Sequence, residues 1–156
     1  MRLYFSFLLF FAVLGFSACE NPDALLDEQL PIANAEWTYI KPVRIKVKIE
    51  DNRIPYHVFI NLRHTADYKY ANIFIRIRQI NPDRKLITLR KEFRLANADG
   101  EWLGTGSGNL YSYLLPLYAK YRFPAKGTYV FELEQNMRDN PLKEITDVGL
   151  RVEKAQ

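Results

Sequence analysis

The sequence predicts an all-β protein: an antiparallel β-sandwich of about seven or eight strands behind a lipoprotein signal peptide and a short tether. Three observations carry this. Apolar and polar residues alternate with a period of two through most of the chain after Glu36. Turn-forming clusters of Asp, Asn, Pro and Gly recur between the alternating runs. Nine of the ten tyrosines lie beyond residue 18, which suits half-buried strands better than an aliphatic helical core.

The first element is not part of the fold. Arg2 precedes a run from Leu3 to Phe16 in which Ser6 is the only polar residue before Gly15. This is a secretory n-region and h-region, shorter than the ~20 residues of a membrane-spanning helix. The run ends Gly15-Phe16-Ser17-Ala18-Cys19. Small residues before a cysteine resemble a bacterial lipoprotein signal, with cleavage after Ala18 and lipidation of Cys19; Phe16 departs from the usual aliphatic residue. Cys19 is the sole cysteine, which excludes an intrachain disulfide framework and a cysteine-rich zinc site. Acyl chains contribute about 0.8 kcal/mol per buried methylene, so several would hold the chain on a bilayer.

Residues 19–35 read as the lipidated N-terminus and an acidic tether. Glu20, Asp23, Asp27 and Glu28 stand without a basic residue, and Pro22 and Pro31 interrupt the segment. Like charges keep such a stretch extended, with a short helix over 23–29 as a weak alternative. Residues 36–156 form the sandwich domain. Val43, Ile45, Val47 and Ile49 alternate with Arg44, Lys46, Lys48 and Glu50; Tyr56, Val58, Ile60 and Leu62 make the next apolar face. Ile73, Ile75 and Ile77 oppose Arg76 and Arg78, and a strand runs from Leu86 to Leu95 after the Asn81-Pro82-Asp83 turn. Tyr129, Phe131 and Leu133 form a further face, and Val148, Leu150 and Val152 the last. Asn109 to Phe123, broken by Pro116, is either a strand pair or a helical turn.

Charge is uneven. The net +4 of the whole chain hides fourteen Lys/Arg against six Asp/Glu over 36–98, and seven against eight over 99–156. Arg44, Lys46, Lys48, Arg76 and Arg78 are therefore a candidate interaction surface, facing anionic lipid headgroups or an acidic partner. Export makes nucleic acid an improbable partner. Trp37, Trp102 and the tyrosines of 111–121 raise a carbohydrate-binding alternative; core packing is the simpler role for them.

Catalytic and metal signals are weak. His57 and His64 lie seven apart, on opposite faces of an extended strand, which disfavours a shared metal. Gly104-Thr-Gly106-Ser-Gly108 lacks the Lys-Ser/Thr of a phosphate loop and reads as a flexible connection or bulge. Glu132 and Glu134 share a face, but a solvated outer face explains them better than a glycosidase pair. Asp139 and Asp147 are no better motivated, and Asp147, Arg151 and Arg138 read as structural, a charged pair fixing strand register. No catalytic residue, metal ligand or cofactor is expected.

One ordered set of segments goes further. Trp37-Thr-Tyr39, Arg63 after Asn61-Leu62, Tyr68-Lys-Tyr70-Ala-Asn72, Gly100-Glu-Trp102-Leu-Gly104, Gly127-Thr-Tyr129-Val-Phe131, Gln135-Asn-Met137-Arg138, Leu142 and Asp147-Val-Gly149-Leu-Arg151 follow one another behind the signal. This set resembles the gliding-motility lipoprotein H (GldH) family over nearly the whole mature chain. The resemblance implies a non-enzymatic lipoprotein needed for movement of cell-surface adhesins. It would act beside the other gliding lipoproteins and the type nine secretion machinery. It also implies a lipid anchor in the outer membrane; the leaflet stays open, with the periplasmic face favoured.

Overall fold

The computed structural model describes residues 24–155. The signal peptide, Cys19 and the first residues of the tether lie outside the described residues. Eleven strands follow in order. They are β1 (Ala24–Pro31), β2 (Glu36–Trp37), β3 (Val43–Ile49), β4 (Tyr56–Thr65), β5 (Asn72–Ile80), β6 (Leu86–Arg94), β7 (Thr105–Ser107), β8 (Leu110–Tyr121), β9 (Gly127–Gln135), β10 (Leu142–Lys143) and β11 (Ile145–Lys154). Eight have seven or more residues, and the other three have two or three. One sheet runs β1-β11-β4-β8-β7, the other β3-β9-β5-β6, and β2 pairs with β10. Every pairing is antiparallel.

The alternation read from the sequence becomes two inner faces. On β3, Val43, Ile45, Val47 and Ile49 are buried while Arg44, Lys46 and Lys48 are exposed. Ile73, Ile75, Ile77, Tyr129, Phe131 and Leu133 complete that sheet's inner face. Val58, Ile60, Leu62, Leu115, Val148, Leu150 and Val152 meet them from the other sheet, in one continuous core. Each such aliphatic side chain stabilises the fold by roughly 1.5–3 kcal/mol on leaving water. Trp37, 1% exposed, joins this core where β2 meets β10.

Three local expectations change. First, residues 24–31, expected in the tether or a short helix, form β1 and pair with β11. Asp27 stands across from Arg151, whose guanidinium lies 2.9 Å away, and Asn61 donates to Asp27 at 2.8 Å. A cation distant in sequence thus compensates an acid that looked unpaired, and Leu26 and Leu30 pack against the core. Second, the aromatic segment is one long strand. Pro116 is tolerated because β7 covers β8 only as far as Ser112 and the pairing with β4 shifts register beside Pro116. Third, the glycine run is a hairpin, β7 paired to β8 around Gly108 at φ +61°. A Cβ on Gly104 would lie 2.6 Å from the Tyr113 ring, so the glycine permits close packing there.

Candidate functional site

Arg44, Lys46 and Lys48 of β3 and Arg76 and Arg78 of β5 stand on the outer face of one sheet. Strand register sets Arg44 opposite Glu132 and Glu132 opposite Arg78, with Arg76 opposite Glu134. Arg44 donates to one Glu132 oxygen, and Arg78 Nη1 lies 3.1 Å from the other. Arg76 donates to Glu134 at 2.8 Å. The Glu132 side chain is only 6% exposed, so the solvated outer face expected for it is corrected. It lies roofed beneath two arginines. Lys48 pairs with Glu50 at 3.0 Å, and Lys46 has no ion pair among the described residues. The three arginines are thus largely committed within the sheet.

Trp102 is not on this face. It sits at one end of the sandwich, half-buried, edge-on to His64 with ring centres 4.5 Å apart. His64 is fully buried and Tyr68 lies 5.0 Å from it. His64 Nδ1 is 2.7 Å from the Thr65 carbonyl, which only accepts, so that nitrogen carries the proton. Nε2, left as an acceptor, lies 3.1 Å from the Tyr113 hydroxyl, whose single proton is within reach of both Nε2 and the Leu95 carbonyl at 2.9 Å. Burial lowers the His64 pKa and pushes the Tyr113 phenol up to about 12. His57 lies on the other face of β4, half-buried. Among the described residues no group of three or more His, Cys, Asp or Glu converges as a metal site.

A cleft of about 640 Å³ opens beside this cluster. Tyr68, Lys69 and Tyr70 form one wall, and the loop from Arg138 to Glu144 forms the other. Lys69 Nζ is 2.6 Å from Asp139. Hydrogen bonding to Asp139 and then Tyr70 raises the Lys69 pKa, and hydrogen bonding to Lys69 and then Tyr70 lowers that of Asp139. Gln135 is fully buried and shapes the wall, donating to the Asp139 carbonyl at 2.9 Å and accepting from the Met137 N–H at 2.9 Å. An adjoining depression of about 360 Å³ shares Tyr70 and Arg138 and adds Phe74, Arg90 and Met137. Arg90 stacks 3.8 Å from the centre of the Phe74 ring.

Sequence reasoning missed this cleft as a site. In the sequence Asp139 reads only as a carboxylate beside a loop, and its partner Lys69 stands 70 residues earlier. A signal existed: Tyr68–Asn72, Gln135–Arg138 and Leu142, all carriers of the resemblance, meet here. Tyr39, from another carrier, donates its N–H to Asn140 Oδ1 at 3.1 Å. Asp147 and Arg151, expected as a pair, each find another partner: Arg63 at 3.5 Å for Asp147, Asp27 and Glu153 for Arg151.

The architecture defines the class, an antiparallel β-sandwich domain with an ion-paired sheet face and a polar, aromatic cleft at one end. The chain belongs to the GldH lipoprotein family, whose model matches residues 24–152. It is 33% identical to the gliding motility lipoprotein GldH homolog of Christiangramia forsetii, over 99% of both chains. It is 29% identical to the gliding motility lipoprotein GldH of Flavobacterium johnsoniae, over 98% of both. No solved structure matches the chain.

Proposed function

We propose that this chain is a lipid-anchored envelope protein of a gliding machinery, acting by contact rather than catalysis, held on the outer membrane and facing the periplasm. The single observation that supports this most is the family match across the whole sandwich, joined to relatives named for gliding motility along nearly their full length. The geometry agrees in kind. The cleft between Tyr70 and Arg138 offers aromatic faces, donors and both signs of charge to an extended partner. The partners are the machinery's other envelope proteins. The face carrying Arg44, Lys46, Lys48, Arg76 and Arg78 is a secondary contact surface at most, because Glu132 and Glu134 already engage its arginines.

Deleting the gene from a gliding host is expected to abolish colony spreading; normal spreading defeats the reading. Palmitate incorporation is expected to vanish in Cys19→Ala, and unchanged labelling removes the anchor. The carbohydrate-binding alternative gains no support from Trp102, whose ring packs on His64 instead of standing free.

A further inference from the structure

The two ends of the sandwich differ in charge. Loops 50–55, 81–85 and 122–126 and the end of β11 lie together. Asn52 donates to the Pro124 carbonyl at 3.2 Å, Arg122 donates to the Arg53 carbonyl, and the Ala155 N–H donates to that of Pro55 at 3.0 Å. Gly127 lies against Pro82. This end exposes Arg84, Lys85, Lys120, Arg122, Lys126 and Lys154. None of the six has an ion pair among the described residues.

The acids of this end are mostly spent. Asp51 is gripped by Arg53 through two 2.8 Å contacts, which hold its pKa well below the usual carboxylate range. Glu50 pairs with Lys48, and Glu153 with Arg151. Asp83 is the one carboxylate here without a cation among the described residues; it accepts the Lys85 N–H at 3.0 Å. At the opposite end, around the cleft, exposed Glu36, Asp67, Asp99 and Glu101 accompany Lys41, Arg138 and Lys143, with Glu36 across from Lys143 in the β2–β10 pair.

The strand register places the start of β1 at the cationic end, because Ala24 pairs with Glu153 and Lys154 with Tyr56. Cys19 precedes Ala24 by five residues. Five residues span at most about 17 Å when fully extended. An acylated Cys19 therefore holds this end within a short step of the lipid surface. The acids Glu20 and Asp23 in the connection oppose the attraction but are outnumbered by the six free cations.

We propose that the end of the sandwich formed by loops 81–85 and 122–126 with Lys120 and Lys154 docks on anionic phospholipid headgroups. Docking there fixes the orientation of the domain, with the Tyr70–Arg138 cleft directed away from the bilayer. The orientation rests on the lipid anchor; the docking surface does not.

Two experiments separate them. The acylated protein is reconstituted into vesicles of phosphatidylcholine alone or with phosphatidylglycerol added, and its lysines are acetylated and counted by mass spectrometry. Lys85, Lys120, Lys126 and Lys154 are expected to react at least about tenfold more slowly on the anionic vesicles, given the attraction of each cation to an anionic surface. Lys69 and Lys143 are expected to be unaffected, and high salt is expected to erase the difference. Equal rates on the two vesicles, or protection at Lys69 and Lys143, overturn the proposal. The mature chain from Cys19 onward, made without the signal peptide and left unacylated, is then floated with the same anionic vesicles at low salt. Exchanging Lys85, Lys120 and Lys126 for glutamine is expected to lower its binding at least about tenfold with an unchanged melting midpoint. Binding indifferent to that exchange overturns the proposal even if palmitate labelling confirms the anchor.

Discussion

Burial disfavours the protonated form of His64, and this gives the fold an acid-sensitive point. The unfolded imidazole titrates near ~6.5, while the folded one titrates lower because it is desolvated. As pH falls through the unfolded value, the denatured chain takes up a proton that the native one refuses. Stability from this group is therefore complete above that value. It falls by up to about 1.4 kcal/mol per pH unit until the folded pKa is reached. Urea unfolding at pH 7 and pH 5 is expected to show the loss. His64→Gln is expected to be less stable at pH 7 yet to lose less on acidification. Glu132 offers a second test. Removing Arg44 or Arg78 alone leaves the buried carboxylate one cation, so each substitution is expected to cost under about 1 kcal/mol. Removing both strands a charge that is 6% exposed and is expected to cost about 3–5 kcal/mol, a clear departure from additivity.

Among the elements, β1 is the one whose place depends on a single residue elsewhere. A Cβ built on Gly149 of β11 would collide with the Glu28 carbonyl and come within 2.8 Å of Gln29 Cα. Only a glycine lets β1 lie so close. Gly149→Ala is expected to destabilise the protein by about 1–3 kcal/mol through overpacking. Hydrogen exchange is expected to show lost protection over residues 26–30, with β3 and β9 unaffected. Protection retained in β1 would show that the strand simply shifts. The opposite flank has its own device. Lys91 lies on edge strand β6, opposite Ile75 of the inner face, and its ammonium donates to the Pro116 carbonyl at 2.6 Å and the Leu117 carbonyl at 3.3 Å on β8. Acceptors that would otherwise invite another strand are occupied, and a charge directed inward discourages edge-to-edge association. Lys91→Leu is expected to raise the tendency to self-associate, as read by light scattering, with little change in melting midpoint.

At the scale of the molecule, one core joins both sheets and the two ends expose different charge. The end around His64, Trp102 and the Lys69–Asp139 pair gathers most segments that carry the family resemblance. The end around Lys120 and Lys126 gathers uncompensated cations. β1 begins at the second end, where Ala24 pairs with Glu153. The net +4 of the chain conceals this arrangement, because ion pairing cancels much of the charge on the β3-β9-β5-β6 face while leaving it intact at the end.

Much of this was legible beforehand. Period-two runs such as Val43–Ile49 and Ile73–Ile77 fix which side chains turn inward, because adjacent residues of an extended chain must point oppositely. The alternation thus determined the all-β class, most of the long strands and most of the core. The ordered segments from Trp37 to Arg151 determined the family. Tertiary structure decided what depends on residues far apart in the chain. It gave Asp27 its partner Arg151, and so made a strand of an acidic tether. It turned Glu132 from a solvated acid into a buried one shared by Arg44 and Arg78. It joined Lys69 to Asp139 across a cleft, and it collected six free cations at one end. Whether a charge is free or paired is a property of its neighbours in space, and the strand order that supplies those neighbours leaves no local trace in the sequence.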